Sequence, residues 1–389
     1  MSSKLDNLPS LFIDNDDDLV TFCHEIKDAK YIAVDTEFVR DKTYYAKLCL
    51  IQVASPDAIA CIDPFKLNDL KPLKELFDNP QQTKIFHAAR QDLEILYADS
   101  GSMPMPLFDT QVAATLLGMG EQIGYANLVN SYLKVTLAKQ HARTDWEQRP
   151  LTDEQLEYAA NDVRYLIQIY PLMLDELDQH ERRDWLKDDF AELTNPALYE
   201  VTPSELWQRV SGNQKLRRKQ LAVLQELCIW REQLAMDRNK PRKWILADNI
   251  ILSIAMSAPS SEKKLANIRG INPATLQHNS EAILSAVQKA LDKPESEWPS
   301  PNKKRQLTKN QEATVDALMS IAKLKAMQHS ISVGAIVNRN ELEKLIIGEQ
   351  DLSIQTGWRH NLIGQYLENF LQNDISLSYS NGELSLTAE

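Results

Sequence analysis

The sequence predicts an α/β domain built on a mixed sheet, followed by all-α helical bundles, and three observations carry that prediction. Short apolar runs, at 31–38, 47–55 and 58–63, crowd the first part of the chain. Helical periodicity then interleaves with one more strand, at 84–88. Beyond residue 200 strand signals almost vanish and amphipathic helices take over.

Taken in order, YIAVDTEF, LCLIQVAS and AIACID read as three strands. Their short spacers predict a meander of antiparallel neighbours. A helix at 69–78, the strand at 84–88 and a helix from about 90 follow, then helices at 109–118 and 127–133. Asp153-Glu154 opens a longer helix, with apolar residues at 156, 159, 163, 166, 167 and 170. Pro171 falls inside that pattern and would kink or end it. Further on, 221–235 and 248–258 are amphipathic helices, and LANIRGINPATLQHNSEAILSAVQKAL holds a short helix, a Gly-containing turn and a second helix. The polar, Pro-rich stretch 293–311 reads as a linker. Beyond it a second helical set repeats the first at an offset of 91, Ile245–Asn249 aligning with Ile336–Asn340. The expected domains are 1–200, 201–295 and 296–389.

A chain of 389 residues with 43% hydrophobic content suits two or three globular domains. No apolar stretch approaches the roughly 20 residues of a membrane span, and the start has no apolar core of signal-peptide type. Cys23, Cys49, Cys61 and Cys228 lack paired metal spacing, so buried free thiols and a cytoplasmic location are expected. The net charge of −12 is lopsided: residues 201–389 carry 24 basic and 20 acidic residues, leaving 19 and 35 for residues 1–200. An acidic half that holds cations and a basic half that holds phosphates would suit a polyanionic substrate.

Five residues carry the chemistry. Asp35 and Glu37 close an apolar run two apart in a strand and so project together from its end. Tyr158 and Asp162 lie four apart in a helix and stack on one face. Asp92 follows the apolar run in KIFHAARQD. Carboxylates drawn from separate elements suit two hard divalent cations, Mg²⁺ or Mn²⁺. Read singly, each piece has an ordinary explanation: a solvated turn, an exposed helix face, a residue favouring a helix dipole. Asp109-Thr110 reads as a helix N-cap rather than a ligand pair, and His87 as a core histidine.

Together, Asp35-Thr-Glu37, His87-x₄-Asp92 and Tyr158-x₃-Asp162 resemble the motifs of 3′→5′ exonucleases with four acidic residues and a tyrosine. VDTEF, LCLIQVA, FHAARQD and TDWEQRPLTDEQLEYAANDV resemble the ribonuclease D family over roughly residues 10–180. The helical remainder resembles two HRDC domains, the first at about 211–291. The resemblance implies a ribonuclease H-like catalytic fold and HRDC-like bundles. It implies that Asp35 bridges two metal ions, that Glu37 and Asp162 hold the ion generating the attacking hydroxide, and that Asp92 supports the second ion. Tyr158 would orient the water.

Substrate contacts are expected from Lys139 or Arg143 in KQHARTDWEQRP, with His87 nearby and with Phe38 either wedging against a terminal base or packing in the core. Trp146 in the same stretch is expected to pack under the catalytic helix. The basic stretch 209–243 has 10 basic and 3 acidic residues. It supplies Arg217, Arg218, Arg242 and Lys243 as phosphate contacts, and Trp244 as either a core residue or a stacking platform. The expected activity is trimming of RNA with a single-stranded 3′ end, tRNA precursors and other small structured RNAs above all, releasing nucleoside 5′-monophosphates. No obligate protein partner and no membrane are expected. The rival readings are a 3′→5′ DNA exonuclease of the same chemistry and a catalytically silent RNA-binding protein.

Overall fold

The computed structural model describes residues 8–137, 144–301 and 306–388. Two compact units divide the chain, and neither is contiguous in sequence. The first contains the described residues of 1–37, 48–195 and 305–389; the second, those of 38–47 and 196–304.

The first unit is built on a six-stranded mixed sheet in the order β1-β4-β3-β2-β5-β6. Its strands are β1 (Ser10–Ile13), β2 (Tyr31–Val39), β3 (Lys47–Ala54), β4 (Ile59–Ile62), β5 (Thr83–Phe86) and β6 (Leu107–Asp109). The three runs read as a meander are neighbours, with β3 antiparallel to β4, while β2–β5 and β5–β6 pair in parallel. Ile32, Val34, Leu50, Val53, Ile59 and Ile85 are fully buried. That explains why these strands read as continuous apolar runs rather than alternating ones.

Helices α1 (Asp16–Ile26), α2 (Lys71–Phe77), α3 (Arg90–Ser100), α4 (Thr110–Leu116), α5 (Tyr125–Leu133), α6 (Asp153–Gln179) and α7 (Leu186–Leu193) complete the catalytic part. Pro171 does not end α6, which runs on to Gln179. Proline removes one helix hydrogen bond. Burial of Ile167, Ile169, Tyr170, Met173 and Leu177 on both sides holds the helix through it. Helix α1 was missed in the sequence although Asn15 caps it, three acids open it and Leu19, Phe22, Cys23 and Ile26 recur at helical spacing; strands β1 and β6 are too short to show a period.

The second unit is a helical bundle: α8 (Arg218–Asp237), α9 (Arg242–Ile245), α10 (Asp248–Ser257), α11 (Glu262–Ala266) and α12 (Pro273–Asp292). Its core joins Leu221, Leu224, Leu227, Ile251, Ile254 and Ile283. Buried Glu226 is paired by Lys289 and Lys293 from the α12 end of the bundle. Segment 38–47 belongs to this unit through Tyr44. The backbone amides of Tyr44 and Tyr45 both donate to Asn239 Oδ1, at 3.0 and 3.2 Å. The Tyr44 hydroxyl donates to buried Glu232, and the Arg242 guanidinium lies 5.1 Å from the centre of the Tyr44 ring.

The second helical set comprises α13 (Lys309–Gln328), α14 (Arg339–Ile346), α15 (Gly357–Arg359) and α16 (Gln365–Leu371). Helices α13 and α14 each start 91 residues after α8 and α10, in step with the repeat in the sequence. This set packs on the catalytic part. Trp358 stacks on Trp185 with ring centroids 4.6 Å apart and planes 2° from parallel. Arg359 pairs with Asp189 at 2.6 Å, and Arg182 donates to the carbonyls of Leu116 and His329. Gly118 makes the close approach possible: at its φ of +76°, a Cβ would lie 2.4 Å from the Ser330 carbonyl oxygen. Trp358→Ala should therefore cost about 3–5 kcal/mol, the range for losing a buried large aromatic, measured as a lower urea midpoint.

The chain ends in a hairpin, β7 (Ile375–Ser380) and β8 (Glu383–Ala388), turned at Asn381-Gly382 with both φ angles positive. This is strand structure in a region expected to be helical. The Asn-Gly dipeptide is a strong hairpin signal, but most of the hairpin's residues are exposed, so no buried apolar run announced it. All four cysteines are buried free thiols, as expected. Among the described residues no helix is long and apolar enough to cross a membrane.

Candidate active site

Strand β2 sits inside the sheet and presents Asp35 and Glu37 on one side, while Thr36 points away and is buried. Strand β2 continues to Val39, so the pair lies within a strand rather than at its end. From α6, Asp162 joins them. Ligand oxygens of Asp35, Glu37 and Asp162 all lie within 4.8 Å of one another. Asp92, on the first turn of α3, is buried, and its Oδ1 accepts a 2.5 Å hydrogen bond from the Thr36 hydroxyl. Thr36, the middle residue of the Asp-x-Glu motif, thus ties the fourth acid to the strand that carries the first two.

Burial, then the charges of Asp92, Asp162 and Glu37, pushes the Asp35 carboxyl well above the usual carboxylate range. Burial, then Asp162 and Asp92, raises Glu37 to about 8. Asp162 is raised by burial and by Asp92, and Asp92 chiefly by burial, the Thr36 hydrogen bond opposing it. Like-charged carboxylates gathered this closely cannot all ionise without a countercharge. The donor set is all oxygen and mostly anionic, which fits hard divalent cations.

Tyr158 lies half-buried one helical turn before Asp162, its ring centroid 6.3 Å from that of Trp146. Burial and the carboxylates Asp162, Glu37 and Asp35 push its phenol upward. Trp146 is 4% exposed, so it packs in the core as expected. The stretch before α6 is anchored by Arg149, which pairs with buried Asp63 and donates to the carbonyls of Cys49 and Trp146. Thr152 then starts α6 with a capping box completed by Gln155.

Asp109 caps α4, accepting from the amides of Gln111 and Val112. It has a second role that the sequence did not reveal. Its carboxylate also accepts from the amides of Ala88 and Ala89, at 3.1 and 2.8 Å, in the turn that launches α3. Ala88 has a φ of +59°, a left-handed conformation that costs an L-residue about 1–2 kcal/mol. Asp109 therefore holds a strained turn four residues before Asp92. In Asp109→Asn the amide nitrogen cannot accept, which orphans at least one buried N–H. The expected loss is about 1–3 kcal/mol in urea unfolding, together with lowered kcat.

The substrate-contact candidates are dispersed. The His87 ring donates through Nδ1 to Thr110 Oγ1 at 2.9 Å, because the Thr110 hydroxyl is itself spent on the Phe86 carbonyl. Burial lowers the His87 pKa. Phe38 is half-exposed on β2. Lys139 and Arg143 lie outside the described residues. Arg217 is exposed at the start of α8, and Arg218 donates to the carbonyls of Glu295 and Trp298. Arg242 is committed to Glu232 and Tyr44, whereas Lys243 is exposed. Tyr125 was missed in the sequence. Its hydroxyl donates to the Asn161 carbonyl at 2.6 Å, bracing α6 beside Asp162.

Residues 11–178 match the 3′-5′ exonuclease family, and residues 220–287 match the HRDC domain. Ribonuclease D of Sphingobium indicum is 39% identical over 375 residues, covering 95% of this chain and 96% of that protein. This chain belongs to the ribonuclease D family. Ribonuclease D of Bartonella henselae is 36% identical over 364 residues, covering 92% and 89%. Among solved structures, Escherichia coli RNase D, an exoribonuclease involved in structured RNA processing, matches with a TM-score of 0.85 at 32% identity, over 94% of this chain and 99% of that one. The catalytic core of RRP6 from Trypanosoma brucei shares the fold at a TM-score of 0.58 and 24% identity, covering 74% and 81%. As a ribonuclease D family member the chain is a hydrolase, a 3′→5′ exoribonuclease, and its HRDC domain implies nucleic-acid binding.

Proposed function

We propose that the protein trims the 3′ ends of tRNA precursors and other small structured RNAs in the cytoplasm by two-metal-ion hydrolysis, releasing nucleoside 5′-monophosphates. The observation that carries this reading is the convergence of Asp35, Glu37 and Asp162, with Asp92 tied in through Thr36. Four buried thiols without disulfides suit a reducing compartment. Escherichia coli RNase D acts in structured RNA processing, which supports the choice of substrate.

Bound Mg²⁺ or Mn²⁺ would acidify a water and neutralise charge on the scissile phosphate. Asp35, Glu37 and Asp162 would hold the cations, and Asp92, held by Thr36, would support the second ion. The Tyr158 phenol, its pKa raised, keeps its proton at neutral pH. It therefore orients the attacking water by hydrogen bonding and does not take its proton.

The test is digestion of a 3′-extended tRNA with Mg²⁺, with Mn²⁺ and with chelator, alongside a matched DNA strand. Stepwise shortening of the RNA that needs the cation and yields 5′-monophosphates supports the reading. Shortening of DNA at an equal rate would overturn the RNA assignment, and untouched tRNA would overturn the substrate assignment.

A further inference from the structure

We propose that segment 38–47 and residues 238–244 together form a single-stranded RNA-binding surface, with Tyr45 and Trp244 as stacking platforms. The proposal deepens the exoribonuclease reading by naming where the strand is held. It rests on a juxtaposition within the helical unit that neither segment shows alone.

Tyr44 joins the two segments through Asn239, Glu232 and Arg242. With Tyr44 pinned, its neighbour Tyr45 stands out from the surface, 44% exposed and edge-on to the Tyr44 ring at 4.8 Å. Trp244 is 61% exposed, with the Lys240 ammonium 5.9 Å from its ring centre. Trp244 is not a member of the core cluster of this unit.

Charge selects the occupant. Residues 238–244 hold four basic residues and no acid, and segment 38–47 holds three basic residues against Asp41 alone. Arg242 is offset by Glu232, while Lys42, Lys240 and Lys243 are exposed. Exposed aromatic rings among cations are the arrangement that holds single strands: bases stack on the rings, ammonium groups follow the backbone, and no base is read. The opposite strand of a duplex would deny the rings their bases.

The experiment is steady-state cleavage of an unstructured oligoribonucleotide by the full-length protein with Mg²⁺. The variants are Tyr45→Ala, Trp244→Ala and Trp244→Phe, and a triple variant with Lys42→Gln, Lys240→Gln and Lys243→Gln. Each alanine change should raise KM at least about fivefold, the lower end of base stacking on an aromatic ring, with kcat at saturation unchanged. Trp244→Phe should recover most of the loss. The triple variant should flatten the salt dependence of binding by about 0.7 in log–log slope for each phosphate that is no longer neutralised. Unchanged KM in both alanine variants, or a fall in kcat with KM unaltered, would overturn the surface. Cleavage by the unaltered protein tests the exoribonuclease reading separately.

Discussion

Replacing Asp35 with asparagine should lower kcat by about a thousandfold or more, since metal stabilisation of a transition state is worth several kcal/mol and each 1.36 kcal/mol is a factor of ten. Asparagine keeps the shape and one oxygen but removes a charge from the centre of the cluster. Asp35 feels Asp92, Asp162 and Glu37 together, so its loss disturbs the whole donor set. The same substitution should weaken Mn²⁺ binding measured by calorimetry. A variant that keeps its kcat and suffers only in KM would show that Asp35 binds substrate and is no metal ligand. Because asparagine also removes repulsion, the metal-free variant should melt higher than the metal-free parent near pH 8.

The second large effect is a linkage between pH, metal and stability. Glu37 rises from 4.5 to about 8 on folding, and Asp35, Asp92 and Asp162 move in the same direction from 3.8. A group whose pKa is raised in the folded state holds more protons there than in the unfolded chain. Its contribution is fully present below pH 4 and is lost as pH rises towards 8. Metal-free protein should therefore lose stability from this site across that window. On the proposed function, divalent cations bind the deprotonated carboxylates and should reverse the loss, by about 2.7 kcal/mol at a hundredfold excess over Kd. Melting with Mn²⁺ and with chelator, at pH 5 and pH 8, checks this. The metal-induced rise should be large at pH 8 and small at pH 5, and equal rises at both would contradict the linkage.

The parts legible in the sequence were those whose signal is local. The spacing of Asp35 and Glu37 followed from strand geometry, that of Tyr158 and Asp162 from the helix. Long periodic helices such as α8 and α12 were plain, as was the Gly turn between α11 and α12. What escaped depends on contacts between distant residues. Thr36 holds Asp92 across 56 positions of sequence, and Asp109 reaches back 20 and 21 residues to the turn before α3. Each is an ordinary residue until the sheet brings its partner close. Arg242 illustrates the reverse: a basic residue in a basic stretch read as a phosphate contact, yet buried Glu232 claims its guanidinium. Strands β1 and β6 were too short for any periodicity to show, and the Pro171 signal was outweighed by burial along α6.

The discontinuity of the catalytic unit bears on how this chain can be divided. By sequence, everything after residue 200 looks like an appendage that could be removed to leave a minimal nuclease. Yet Trp185 stacks on Trp358, Asp189 is neutralised by Arg359, and Arg182 is anchored at the carbonyl of His329. A fragment ending at residue 200 would expose an indole face, leave a half-buried carboxylate without its countercharge and cost the buried Arg182 guanidinium one of its two carbonyl acceptors. Excising the first bundle instead would keep those contacts but strip Tyr44 of Asn239, Glu232 and Arg242, so segment 38–47 would have to be replaced with it.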